Sequence, residues 1–308
     1  MIKNIGLVGA GAVGSVMISR LYQVYPENFY LLARGARAKR LEEGISVNDR
    51  TLKPKIYSEA AEHVKLDLLI VAVKNYSLER VIEDVRPLID RETIILPLLN
   101  GIMATQRLQA AFPENRVFYG VMLRTDAHRT GHRVYFSTPG EIQMGYADNR
   151  IIMPEVQEVY ECLKNAGVNA RIYEDMRRIQ WRKWMLNTAG SQAAVEAGVE
   201  CGYFSQVSEI VELMSLCMDE ILQLAEAEGV NLTRQDKEET LTFLLGYPAH
   251  KKMSMLQDVE AGRPIEIDEY AGTAVELGKK HDIATPVNRV LYLTIKAREK
   301  VDAIRKHM

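Results

Sequence analysis

A chain of 308 residues exceeds what one hydrophobic core usually organises, so two domains are expected. Hydrophobic residues at 47% against 26% charged give the balance of an ordinary globular protein. The 39 Lys plus Arg and 41 Asp plus Glu leave a net charge of -2, which gives no electrostatic footprint for nucleic acid or an anionic membrane surface.

Ile2 to Val8 reads as a buried strand, Gly9 to Gly14 as a glycine turn, and Ala12 to Tyr25 as a helix stopped by Pro26. An opening strand lacks the basic start and apolar core of a signal peptide, so no secretory leader is expected. Phe29 to Ala33 is a second apolar strand, followed by a helix from Ala36 to Glu43 with Gly44 as its stop. Ile45 to Tyr57 alternates and is expected to make one or two short strands. Leu68 to Val73 is a continuous apolar strand of the kind buried on both faces of a parallel sheet, and far too short to cross a bilayer. Ser77 starts a helix and Thr93 to Leu99 forms the next strand. Strands alternating with helices predict a doubly wound α/β domain.

The pattern changes after Gly120. Val121 to Tyr146 is β-rich and broken by Thr130-Gly131 and Pro139-Gly140, which predicts antiparallel strands. Pro154 opens a helix that stops near Gly167, and Asn169 to Tyr173 reads as a last edge strand. From about Arg177 the chain reads as helical, with long amphipathic stretches from Arg178 to Ala197, from Ser205 to Glu228, and from Pro286 to the end. Thr233 and Asp236 form a capping-box pair before a helix that stops at Gly246. Pro248 is expected at the first position of a further helix that Gly262 ends. The expected organisation is therefore an N-terminal Rossmann-type doubly wound α/β domain, residues 1–174, and a C-terminal all-helical domain, residues 175–308. Cys162, Cys201 and Cys217 are odd in number and match no metal-ligand spacing, so reduced thiols in the cytoplasm are expected, with no metal.

Gly9-Ala10-Gly11-Ala12-Val13-Gly14 is a full G-x-G-x-x-G between an apolar strand and a helix. In that context Gly9 allows the tight turn, Gly11 lets the backbone approach a pyrophosphate, and Gly14 lets the helix pack on the sheet. Free N–H groups at the helix start favour phosphate charge. Sites for NAD usually place an acid about 20 residues further on, at the ribose 2′-OH. Arg34 stands there instead, which suits the 2′-phosphate of NADPH, and Arg37, Lys39 and Arg40 follow it. Those three also fit an ordinary solvated helix face. Lys74 and Asn100-Gly101 each follow a predicted parallel strand, at the end where such sheets bind ligands.

In the helical half, Lys183, Asn187 and Ser191 are spaced i, i+4, i+8 and form one ridge among Trp181, Trp184, Met185 and Leu186. A lysine near two tryptophans can be desolvated, which lowers its pKa and suits proton transfer. It can equally be a snorkelling lysine on a core helix. Ser254 and Asp258 share a helix face. Glu266 follows Pro264 at a helix start, where capping and the helix dipole would explain an acid by themselves.

Taken together these residues resemble the ketopantoate reductase family, the 2-dehydropantoate 2-reductases, over nearly the whole chain. The likeness rests on Gly9 to Gly14, Arg34, Ala72-Val73-Lys74, Asn100-Gly101, Lys183 with Asn187, Ser254-Met255-Leu256-Gln257-Asp258 and Glu266-Ile267-Asp268. The resemblance implies Lys183 as the catalytic lysine and Glu266 as an accessory acid. It implies that Asn100, Asn187 and Ser254 hold substrate and that Arg34 and Lys74 bind NADPH, with Asn100 also facing the cofactor. Ser191 is counted with the substrate residues, although it stands where the family typically has Asn. Cys201 likewise replaces an expected substrate-binding Asn, and His250-Lys251 replaces an expected polar segment. The implied activity is NADPH-dependent reduction of a small 2-oxo acid, 2-dehydropantoate to pantoate in pantothenate biosynthesis, in the cleft between the domains. A homodimer is left open, and no nucleic acid or membrane partner is expected. Two alternatives stay open: a dehydrogenase of the same architecture acting on another oxo or hydroxy acid, and a non-catalytic NADPH sensor. The sensor would lose the lysine or the acid, and both are present.

Overall fold

A computed structural model describes residues 1–58, 64–131 and 133–306, which form two compact units, Met1–Ile179 and Gln180–Met308. The first unit opens with β1 (Ile5–Val8), α1 (Ala12–Val24), β2 (Phe29–Leu32), α2 (Gly35–Glu42), β3 (Ile45–Val47), β4 (Arg50–Leu52) and β5 (Lys55–Tyr57). It continues with β6 (Leu68–Val71), α3 (Leu78–Val85), β7 (Ile94–Pro97), α4 (Met103–Ala111) and β8 (Tyr119–Leu123). β9 (His128–Thr130), β10 (Arg133–Tyr135), β11 (Glu141–Gly145), α5 (Pro154–Asn165) and β12 (Ala170–Ile172) complete it.

The main sheet is five-stranded and wholly parallel, in the order β5-β2-β1-β6-β7. Every residue of β1, β6 and β7 is buried, which is why these strands read as unbroken apolar runs. Alternate side chains serve two cores, as the two-residue period of a strand requires. Ile5, Leu7, Leu68 and Ile70 pack with Met17, Ile18 and Leu21 of α1. Val8, Leu69, Val71 and Ile95 pack with Val81 and Ile82 of α3 and Leu108 of α4. The strand order reverses between β1 and β6, and that switch point is where doubly wound sheets open a ligand crevice.

Ile45 to Tyr57 makes three strands, one more than expected. Asn48 and Asp49 both adopt left-handed conformations (φ 46° and 61°), so β3 and β4 close as a tight hairpin. β5 follows Pro54 and leaves the hairpin to pair with β2. The antiparallel expectation after Gly120 holds for β8 with β11 and for β9 with β10. Two further pairings, outside that expectation, are parallel: β12 with β11, because α5 is the crossover between them, and β10 with β3. β12 lies at an edge, as expected.

The helical unit contains most of α6 (Met176–Ala197), then α7 (Ser208–Ala227), α8 (Arg234–Leu245), α9 (Ser254–Glu260), α10 (Ala271–His281) and α11 (Pro286–Lys306). The expected run of the last helix beyond 306 lies outside the described residues. The Thr233–Asp236 capping box is present at α8. Buried Glu220 of α7 accepts from the backbone N–H groups of Val287 (2.7 Å) and Asn288 (3.0 Å), so a carboxylate satisfies the first turn of α11.

Pro248 does not begin a helix; α9 starts at Ser254. The Lys251 N–H donates to the Pro248 carbonyl at 2.9 Å, forming a turn. The carbonyls of Ala249 and Lys251 then accept from the N–H groups of Gly202 (2.9 Å) and Cys201 (2.8 Å). This long-range backbone pairing holds the segment out of a helix. Among the described residues no helix is long and apolar enough to cross a membrane.

Candidate active site

The glycine turn lies at the carboxyl end of β1. Gly9 has φ 107°, and a Cβ there would sit 2.3 Å from the Ala72 carbonyl oxygen. A Cβ on Gly14 would sit 1.7 Å from the Gly9 carbonyl oxygen, so only glycine lets α1 pack this close to the turn. At Gly11 nothing lies within 4 Å of the corresponding position. Gly11 is also the N-cap of α1 and offers no side-chain cap, so the first-turn N–H groups of α1, with Ala12 and Val13, remain available to an external acceptor. An open backbone approach at a helix N-terminus fits the pyrophosphate of a dinucleotide.

Arg34 caps the start of α2 and is half-exposed, with Nη1 3.8 Å from Asp84 Oδ1. Arg37, Lys39 and Arg40 are exposed on α2. Lys74 is half-buried just beyond β6, before the short turn Asn75–Ser77. Buried Asn75 donates through Nδ2 to the Asn100 carbonyl at 2.9 Å. That bond joins the loops after β6 and β7, and so fixes Lys74 and Asn100 near one another.

In the helical unit, Lys183 is half-buried on α6. Desolvation pulls its ammonium from 10.5 down to about 8, and the Glu266 carboxylate works in the opposite direction. Glu266 is itself buried, immediately before the short turn Ile267–Glu269. Trp184, one residue after Lys183, is buried and donates its indole N–H to the Glu269 carbonyl at 2.9 Å. This bond ties α6 to the turn that carries Glu266. The Trp181 ring meets that of Trp184 edge to face, 5.1 Å between centroids.

Asn187 is half-buried one turn beyond Lys183. Ser191, a further turn on, is fully buried, and its hydroxyl has no hydrogen-bond partner among the described residues. Ser254 is exposed at the first position of α9. Asp258 shares that helix, and Arg263 Nε donates to its Oδ1 at 2.7 Å, closing the end of α9, while its charge also acts on Tyr270. Cys201 is buried, and burial pushes its thiol up to about 11, so it is an inert core residue. The open groove of about 610 Å³ along α7, lined by Ser205, Val211, Glu212, Leu216 and Leu241 among others, contains none of these residues.

Two family profiles match the chain: Ketopantoate reductase PanE/ApbA over residues 5–149, and Ketopantoate reductase PanE/ApbA C terminal over residues 175–299. The chain belongs to the ketopantoate reductase family. It is thereby an oxidoreductase. It is 27% identical over 312 residues to the uncharacterized oxidoreductase YkpB of Bacillus subtilis, covering 95% of this chain and 98% of that one. It is 27% identical over 307 residues to the 2-dehydropantoate 2-reductase of Vibrio cholerae, covering 96% and 98%. D-mandelate dehydrogenase, solved with NADH and anilino(oxo)acetate, shares the fold with a TM-score of 0.86 at 23% identity, over 97% of this chain and 99% of that one.

Within this ketopantoate reductase framework one residue beside Lys183 and Glu266 escaped the sequence reading. Tyr270 is fully buried, and its phenol is held well above its ordinary value by burial and then by the Glu266 charge, with the Ser254 hydroxyl opposing. Tyr270 therefore belongs to the same neighbourhood as Lys183, Glu266 and Ser254. The only trace in sequence is its position four residues after Glu266, one helical turn away. A lysine poised near 8 beside a buried acid can hold a proton at neutral pH and release it to a nearby oxyanion.

Proposed function

We propose that this chain is an NADPH-dependent reductase of a small 2-oxo acid, with 2-dehydropantoate as the first substrate to test. The observation that carries the reading is Lys183: a half-buried ammonium lowered to about 8, beside buried Glu266, on the helix matched by the family's C-terminal profile. In this reading residues 1–174 bind the dinucleotide and residues 175–308 bind substrate and supply the acid.

The open approach at Gly11 and the available N–H groups of α1 fit the pyrophosphate, and Arg34 with Lys74 would hold the 2′-phosphate. Bound nicotinamide would supply a hydride to the carbonyl carbon of the substrate. Negative charge then develops on the carbonyl oxygen. Lys183 donates a hydrogen bond to that oxygen and transfers its proton as the charge grows, leaving a neutral amine and a 2-hydroxy acid. Glu266 favours the charged lysine and so keeps the proton available below about pH 8. Asn100, Asn187 and Ser254 supply neutral hydrogen bonds to the substrate, with Ser191 lying deeper along the ridge. Three buried, unpaired cysteines suit a reducing compartment, and the cytoplasm is the proposed location.

A second reading concerns only the substrate. Ser191 and Cys201 are shorter than the asparagines that the family resemblance implies, which favours a less polar pocket and a different 2-oxo acid. The likeness to D-mandelate dehydrogenase makes aryl 2-oxo acids worth including. The test is oxidation of NADPH and NADH with a panel of branched and aryl 2-oxo acids, 2-dehydropantoate among them. Turnover of 2-dehydropantoate by a large margin would remove the second reading, and no turnover of any 2-oxo acid would remove both.

A further inference from the structure

Charges from three separate elements converge beside Arg34. α2 carries Arg34 at its cap and then Arg37 and Arg40, which are neighbours on one face at a spacing of three. α3 carries Arg80 and, one turn later, Asp84. Asp84 stands between two guanidiniums, with Oδ1 3.8 Å from Arg34 Nη1 and Oδ2 3.7 Å from Arg80 Nε. This shared carboxylate brings the start of α2 to α3. Arg129 of β9, in the small sheet, donates through Nε to the Gly131 carbonyl at 2.8 Å, and its charge acts on Arg37. Arg37 is held below its ordinary value by desolvation and then by the charges of Arg129, Arg40 and Arg80, with the Tyr76 phenol opposing them.

A solvated helix face would account for Arg37 and Arg40 alone. It does not account for Arg80 and Arg129, which arrive from other elements to face like charges. Arg34 and Arg80 share Asp84, and the like charges of Arg37, Arg40, Arg80 and Arg129 add a repulsion that a bound anion would relieve. The planar guanidinium fork matches the oxygens of a phosphate, and a phosphate monoester carries enough charge to engage several guanidiniums at once. Arg34, at the start of this cluster, directly follows β2, and the ribose of a dinucleotide lies at the carboxyl ends of such strands.

We infer that Arg80 and Arg129 are specificity-determining residues that join Arg34 and Arg37 in clamping the 2′-phosphate of NADPH. The inference rests on the dinucleotide reading given above and deepens it. It extends the clamp beyond the local segment after β2 to α3 and to the β9 hairpin.

The experiment is titration of NADPH and of NADH into the full-length protein and into Arg80→Ala, Arg129→Ala and the double variant, followed by nicotinamide fluorescence. Loss of one charged hydrogen-bonding partner should raise the Kd for NADPH about tenfold in each single variant, while the Kd for NADH stays within about twofold. 2′-AMP should displace NADPH from the unmodified protein better than 5′-AMP does, and the double variant should lose that difference. Unchanged NADPH affinity in the double variant, with a preference for NADPH intact in the unmodified protein, overturns the clamp and leaves the dinucleotide reading standing. Equal loss of NADPH and NADH affinity also overturns it, because the arginines would then support the fold rather than the 2′-phosphate. An unmodified protein that binds neither dinucleotide overturns the underlying reading as well.

Discussion

The glycine turn of the first unit and the lysine pocket of the second are assembled from different materials. The turn runs from Gly9 to Gly14 and presents backbone N–H groups, and its side chains are small or absent. The pocket presents side chains: Lys183 from α6, Ser254 from α9, and Glu266 and Tyr270 from the segment that enters α10. A backbone site depends on space, so an added carbon atom is enough to destroy it. A side-chain site depends on one functional group and on the charge around it, so isosteric changes are enough to silence it. The two regions should therefore fail differently, one in binding and the other in turnover.

The largest effect is expected at Lys183. General acid catalysis contributes about 10²–10⁴-fold, so Lys183→Ala should lower kcat by that order. The Kd for NADPH should stay unchanged, because the proposed dinucleotide site lies in the other unit. Steady-state kinetics beside a cofactor titration reads both. Near-normal kcat would return Lys183 to the role of a snorkelling core residue, and loss of NADPH affinity alone would move it to the cofactor site. Gly14→Ala should do the reverse. Its Cβ would fall 1.7 Å from the Gly9 carbonyl oxygen, and backbone cannot yield as a side-chain tip can. Overpacking costs typically about 1–3 kcal/mol, so NADPH affinity should fall roughly ten- to a hundredfold, with a lower Tm. Undiminished affinity would mean that the turn does not cradle the pyrophosphate.

Legibility in the sequence follows the same division. The strand, glycine turn and helix are contiguous, so spacing alone identifies them. The Thr233–Asp236 box at α8 and the ridge of Lys183, Asn187 and Ser191 on α6 are equally local. The reading failed where distant segments decide the outcome. Pro248 looked like a helix start, yet hydrogen bonds from Cys201 and Gly202 claim the backbone behind it. Tyr270 and Arg129 carried no motif, because each gains meaning only from residues on other elements. β5 was hidden because Pro54 and the Asn48-Asp49 turn divide a stretch whose alternation looks continuous.

Cofactor choice should respond more mildly than turnover, since Arg34 is half-exposed and already shares Asp84. Arg34→Asp should weaken NADPH about tenfold and bring NADH to equal or better use, because an acid at this position repels a 2′-phosphate and accepts from a 2′-OH. Initial rates with both cofactors decide the matter. Equal use of NADPH and NADH by the unmodified enzyme would sink the assignment of Arg34 before any variant is made.

The smallest effect, and the most informative about the pocket, concerns pH. In the proposed mechanism reduction needs Lys183 charged, so kcat/KM should be flat at low pH and fall as pH rises through about 8. Oxidation of the 2-hydroxy acid needs the neutral amine as proton acceptor, so its rate should rise through the same pH. The Glu266 carboxylate opposes the desolvation that lowers Lys183. Removing that charge in Glu266→Gln leaves desolvation unopposed, and the ammonium loses its proton more readily. The falling limb of reduction and the rising limb of oxidation should therefore both move to lower pH, with kcat at low pH reduced less than in Lys183→Ala. Glutamine keeps the size of the buried side chain, so the shift reports charge rather than packing. Limbs that stay in place would separate Glu266 from the lysine and leave it a structural acid ahead of α10. Limbs that move to higher pH would reverse the sign of the interaction and with it the proposed division of labour between the two residues.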